Sequence, residues 1–394
     1  MRYFVTALSI LLLLLLGTLL FLTDEQREPP PLTNSPDPAS SWPEYLSVLE
    51  TGALRSSLIA ERWREASEDA LRHAVPIGTP YREAVSITAG EEWAIGLRAE
   101  LLRGQELVLS VDGREGRLGE LLFVDLFEIE HRYGGFATAL LSERTHTTGR
   151  GEAFRFTAPR DGAYLLRLQA EPLRSVSFTL RAERGPAYLF PVEDASPRDI
   201  WSVFGDARGG GTRIHHGIDI FAPRGTILRA ATDAYVSRVG TRSLGGKIVT
   251  LYDQKRDIYL YYAHLDDWIA EEGSFVRAGD PIGTVGNSGN ARYTPPHLHI
   301  GLYNGWWSRP IDPWNFFVSD GASGGPEREL LLAALGERRE LGAGVEAQIF
   351  VHGVSRTETL VEDRLVSVIG VSEEGARVVM EDGISALVSP RHLR

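Results

Sequence analysis

The segment Pro296-His297-Leu298-His299-Ile300 places the tightest constraint on this 394-residue chain. In a strand, residues two apart project from the same face, so His297 and His299 point into one pocket. Paired imidazoles are costly to bury in an apolar core, so the pair belongs either to a metal or catalytic site or to a hydrogen-bonded surface. Five of the 10 histidines fall between positions 215 and 299. The run His215-His216-Gly217-Ile218-Asp219 holds an H-x-G-x-D, and Tyr262-Ala263-His264-Leu265 places a histidine at the end of an alternating strand. There are 0 cysteines, which excludes disulfides, thiolate metal sites and cysteine nucleophiles, so any metal must use His, Asp or Glu. There is no H-E-x-x-H, so the helix-borne zinc site of that pattern is excluded.

Length predicts several domains. Tyr3 to Leu22 is almost wholly apolar, follows Arg2 and lacks a small-x-small cleavage site. As a helix of about 1.5 Å rise per residue it would reach about 30 Å, so residues 1–23 are expected to be an uncleaved signal anchor that leaves the rest of the chain outside the cytoplasm. A proline-rich linker is expected over 24–44 and a helical spacer over 45–84, where Leu46, Leu49, Leu54, Leu58, Trp63 and Leu71 follow a near-3.6 period broken at Gly52. Residues 85–184 alternate like strands and carry the turn pairs Asp112-Gly113 and Asp161-Gly162; Phe156 to Leu165 resembles the strand-turn-strand of accessory β-sandwich modules on secreted enzymes. A β domain is expected over 185–320. A helix is expected over 321–345, centred on the amphipathic run Pro326–Glu340, and a small β region, of possible SH3-like topology, over 346–394. The fold class is therefore mainly β and multidomain. With 41 Lys plus Arg against 53 Asp plus Glu, a formal charge of -12, the surface repels polyanions and no nucleic-acid partner is expected.

Taken together, the three histidine clusters resemble the lysostaphin-type zinc metallopeptidases, the family of cell-wall endopeptidases that includes LytM. The resemblance runs over residues 189–317. It includes Phe204-Gly205-Asp206 and Arg213 before the first motif, Ala222-Pro223-Arg224-Gly225-Thr226 after it, Gly279 to Asn290 leading into His297, and Ile311-Asp312-Pro313 at the close. It implies an antiparallel β-sheet peptidase domain with one zinc per chain, held by His215, Asp219 and His299. His264 and His297 are implied as the catalytic pair that handles protons and the oxyanion. Three N/O ligands would leave the fourth tetrahedral position open, as catalytic zinc requires. A one-residue register error would exchange His215 with His216. The chain departs from the family at Ala234 and Gly301, where glycine and an acidic residue are common. Tyr293, Trp306 and Trp307 are candidate substrate contacts.

The resemblance and the export signal imply an endopeptidase of bacterial peptidoglycan, tethered to the membrane through its N-terminal helix. The competing reading is a non-catalytic peptidoglycan-binding or hydrolase-activating regulator with a protein partner, as some relatives that lose ligands are; here all five positions are filled.

Overall fold

The computed structural model describes residues 42–51, 58–88, 94–113, 121–132, 135–147, 153–172, 174–305, 309–319, 334–351, 354–380 and 384–393. The expected signal anchor at 1–23 lies outside the described residues, and among the described residues no helix is long and apolar enough to cross a membrane. The chain divides into two compact units, residues 1–64 and 65–394. The helix Trp42–Thr51 starts inside the segment expected as linker, and in the first unit Trp42 stacks on Trp63 at 5.3 Å.

The second unit is dominated by strands. Residues 75–186 supply two facing sheets whose shared core includes Leu97, Leu166 and Leu168 from one and Val85, Leu107 and Phe178 from the other. Alternating burial along Gln105–Gly113 and Val176–Pro186 is the mark of strands with one face on a core. The strand Tyr81–Ile87 crosses the boundary expected at residue 84, so the sandwich begins earlier than the alternation alone indicates.

The C-terminal region builds an apolar core of its own but is not a separate sheet. Its strand Arg364–Ser372 pairs with Tyr81–Ile87, placing Glu83 opposite Ser372 and Val85 opposite Gly370, and so extends the sandwich's second sheet. At that seam Arg377 Nε donates to Glu83 Oε1 (2.8 Å) and Nη2 to Oε2 (3.0 Å), with both side chains 2% exposed. Gly370 makes room for the pair, since a Cβ there would lie 2.1 Å from Glu83 Oε1. Of the helix expected over 321–345, residues 321–333 lie outside the described residues, and the rest needs correction. Arg338–Leu341 is a strand paired with Arg364–Ser372, and Gly336 turns the chain into it at φ 80° with its N–H on Val368 O. Leu341, which falls inside the expected helix, is fully buried in the C-terminal core.

Between these regions lies the sheet that carries the histidines. Its order runs Ile200–Ser202, Ile218–Phe221, His297–Asn304, Ile258–Trp268, Gly246–Asp253, Ala234–Arg242 and Phe275–Val276, antiparallel throughout. One face buries Ile218, Ile220, Leu298, Ile300, Leu260 and Tyr262 in the domain's core. Strand alternation then sends Asp219, Phe221, His297 and His299 to the other face.

Candidate metal centre

Register builds the first half of the site. Asp219 sits opposite His299, and Phe221 opposite His297, on neighbouring strands. His215 precedes its strand and returns its ring to the same place, because its Nδ1–H donates to Val203 O at 2.8 Å. That bond orients the ring and turns its Nε2 inward. Gly217 is required here, since a Cβ would lie 2.5 Å from Ile300 O and 2.7 Å from His299 Cε1. The glycine of the H-x-G-x-D is thus the space in which the His299 ring lies. His216 is exposed and its ring faces Phe204, so the structure selects His215 of the adjacent pair.

His264 reaches the site by a different route. Its strand is in register at Val249↔Tyr262 and again at Lys247↔Leu265, three residues against two. The extra residue is absorbed with His264 at φ 67°, a left-handed conformation that side chains rarely adopt. Regular alternation would have placed His264 on the core face beside Tyr262. The bulge instead turns the ring toward His297, at 5.1 Å between centroids, and His299, at 6.0 Å. Its Nδ1–H donates to Ser288 O (2.9 Å) and that of His297 to Pro295 O (2.9 Å), so each ring leaves its Nε2 free of the backbone.

Three donor atoms converge. His215 Nε2 lies 3.0 Å from Asp219 Oδ1 and 2.9 Å from His299 Nδ1, and that Nδ1 lies 3.0 Å from the same oxygen. Burial alone would raise the Asp219 pKa, but the hydrogen bonds and charge of His215 and His299 hold it well below the usual carboxylate range. Burial lowers His299, and burial with the neighbouring His299 and His297 lowers His264 to about 4. The donor set suits a divalent cation: a carboxylate and at least one imidazole lone pair face one point, and the ligand atoms of tetrahedral zinc stand about 3.3 Å apart. Among the described residues His215, Asp219 and His299 are the group able to hold a metal.

Arg208, which the sequence reading did not single out, completes the arrangement. From a two-stranded hairpin with Arg213–Ile214 it donates through Nη2 to Asp219 Oδ2 at 2.7 Å and also to Ser202 Oγ. One carboxylate oxygen is pinned while the other faces the histidines. Arg213, quoted for the family resemblance, is exposed on the paired strand. Only its place in a glycine-rich hairpin near the motif could have drawn attention to Arg208. Of the proposed substrate contacts, Tyr293 is 87% exposed with Arg292 over its ring, whereas Trp306 and Trp307 lie outside the described residues. Gly301 fills its departure from the family pattern for a steric reason: a Cβ would lie 2.7 Å from His216 O.

Fold and site thus define an antiparallel β-sheet domain with a His/Asp/His group able to hold a metal, flanked by two further histidines. Residues 213–313 match the model of peptidase family M23, and the chain carries a domain of that family, of lysostaphin and LytM type. It is 36% identical over 137 residues to the L-Ala–D-Glu endopeptidase of Bacillus subtilis (strain 168), covering 32% of this chain and 42% of that one. It is 38% identical over 102 residues to the DD-carboxypeptidase/endopeptidase Mpg of Neisseria meningitidis serogroup B, covering 26% and 22%. Among solved structures, the catalytic domain of lysostaphin from Staphylococcus simulans aligns at 26% identity over 30% of this chain and 96% of that one, with a TM-score of 0.28. The chain spans less than half the length of these two curated relatives.

Proposed function

We propose that this protein is a zinc-dependent endopeptidase that hydrolyses stem or cross-link peptide bonds of bacterial peptidoglycan. The observation that carries the proposal is the convergence of His215 Nε2, Asp219 Oδ1 and His299 Nδ1 beside two histidines whose Nε2 atoms are free of the backbone. Relatives named as endopeptidases over the same segment support the reaction class. His215, Asp219 and His299 would hold one zinc per chain, which when bound supplies Lewis acidity and an activated water at neutral pH.

The protein's own groups supply the rest. His264, lowered to about 4, is neutral at pH 7 and can accept a proton at Nε2. His297 is held the same way, so a proton that its Nε2 accepts from the attacking water can be handed on to the leaving amine. Arg208 holds Asp219 so that one oxygen alone faces the ligand histidines. The apolar run at 1–23 supports a location in the cell envelope, with the body anchored outside the cytoplasm.

Digestion of purified peptidoglycan with and without a chelator, followed by mass measurement of the fragments, tests the proposal. Zinc-dependent release of newly cut peptides is expected; an intact wall treated with zinc-loaded protein would refute it.

A further inference from the structure

Beside the histidines lies a feature that hydrolysis alone does not use. In the edge strand Ile200–Ser202, Ile200 pairs with Ile220 and Ser202 with Asp219, so Trp201 is the extra residue of a bulge. Bulges re-aim side chains, and this one lays the Trp201 indole on Phe221, with centroids 4.5 Å apart and planes at 18°. Phe221 in turn stacks on His297 at 4.9 Å and 25°. The three rings make a shelf running from His297 to the sheet edge.

The outermost ring of the shelf is 69% exposed, a large apolar surface left in water. The backbone on either side is fixed. Asp199 accepts from the Ser196 N–H (2.9 Å) and Oγ (3.0 Å), and Ser202 Oγ donates to Asp206 (2.6 Å). A rigid aromatic face has little freedom to lose on binding, which is the economical form of a recognition platform.

Resting on the peptidoglycan reading above, we infer that Trp201 is the platform on which a pyranose ring of the glycan stacks while the attached peptide passes His297. The indole and the phenyl carry no charge, so the shelf favours an apolar C–H face over an ionised group of the peptide. The weakly positive hydrogens of a pyranose face complement the negative face of the indole. A shelf ending two rings away from His297 suits a sugar joined to the peptide rather than the scissile bond itself.

The test compares a cross-linked peptidoglycan fragment that keeps its disaccharides with the same fragment stripped of them by an amidase. The ratio of kcat/KM for sugar-bearing over stripped substrate should fall about tenfold in Trp201→Ser, chiefly through KM, and stay near wild type in Trp201→Tyr, which keeps a ring. An equal loss on both substrates, or no change in the ratio, would overturn the inference. A second readout is independent of hydrolysis: an N-acetylglucosamine tetramer should quench the tryptophan fluorescence of the wild type more than that of Trp201→Ser. Quenching by a protein that cuts neither fragment would sink the endopeptidase reading and keep the platform. Identical quenching in both proteins would overturn the platform whatever the protein cuts.

Discussion

The peptidase sheet and the sandwich use the same material, antiparallel strands with one face on an apolar core, yet they close at different distances along the chain. Asp219 meets His299 across 80 residues, whereas Glu83 meets Arg377 across 294. Every group of the candidate site lies between Arg208 and His299. The sandwich sheet is complete only when strands from the end of the chain have joined those from its beginning. The site therefore belongs to a region that can assemble from neighbouring segments, while its support depends on the whole chain.

The largest expected effects fall inside the compact region and separate the histidines by role. His299→Ala and His215→Ala should lose tightly held zinc and activity together, as read by elemental analysis and peptide hydrolysis. His264→Ala and His297→Ala should keep the metal and lose about 10²–10⁴ in turnover, the usual size of a proton-transfer contribution. His216→Ala should behave as wild type in both measurements. Zinc retained in His299→Ala but lost in His297→Ala would reverse the two faces of that strand.

The seam of the sandwich comes next. Arg377→Met should cost about 3–5 kcal/mol, because it leaves the Glu83 carboxylate buried without its cation. Glu83→Leu combined with Arg377→Met should recover most of that loss, because the uncompensated charge is then gone. Denaturant unfolding reads both. If the single variant unfolds like the wild type, the C-terminal strands are not integral to the sandwich.

The same contrast explains what was legible. In H-x-H, strand geometry converts a spacing of two residues directly into one face for His297 and His299, whereas His215 lies before its strand and its role, like that of Asp219, is implied by the family resemblance. Alternation likewise shows that residues after 85 are strands. Other features depend on partners far along the chain. His264 lies on the site face only because a bulge against Gly246–Asp253 shifts it off the core face, which alternation would have predicted. The run Pro326–Glu340 reads as an amphipathic helix, yet its last residues pair as a strand with Arg364–Ser372. Trp201 and Arg208 belong to no spacing pattern, and their positions follow from a bulge and a hairpin.

Protonation should distinguish the two regions more gently. His264 has a native pKa of about 4 against 6.5 when unfolded. Between those values the unfolded chain binds a proton that the native site does not, so stability rises with pH across this window. In chelated protein this contribution is complete above about pH 6.5 and is lost as pH falls toward 4, a change of about 2–3 kcal/mol for a group this buried. His299, also lowered, works in the same direction. Urea unfolding of metal-free wild type and His264→Phe at pH 7 and pH 5 measures it, and equal slopes in the two proteins would remove His264 as the cause.

The smallest effect is expected where the two regions meet. Arg256, on the peptidase side, donates to Thr157 Oγ1 (3.0 Å) and Asp253 Oδ2 (2.8 Å), approaches Glu106 Oε1 at 3.5 Å and lies over the Tyr188 ring at 5.2 Å. Gly104 of the sandwich fits against Phe316 so closely that a Cβ would lie 2.3 Å from the ring. Arg256→Ala removes the polar part of this latch. Asp253 stays hydrogen-bonded to the Tyr188 hydroxyl (3.0 Å) and to the Lys255 N–H (3.0 Å), so the cost should be only about 1–2 kcal/mol. Calorimetry should show its consequence as a melting profile that broadens toward two transitions, one for each region. A fragment beginning at Gly185 should still bind zinc, because every ligand lies within it, but should melt below the full chain, since Phe316 loses Gly104 and Arg256 loses Thr157 and Glu106 of the sandwich. A fragment as stable as the whole protein would mean that the sandwich contributes nothing to the sheet beneath the site, and that the two regions are neighbours without coupling.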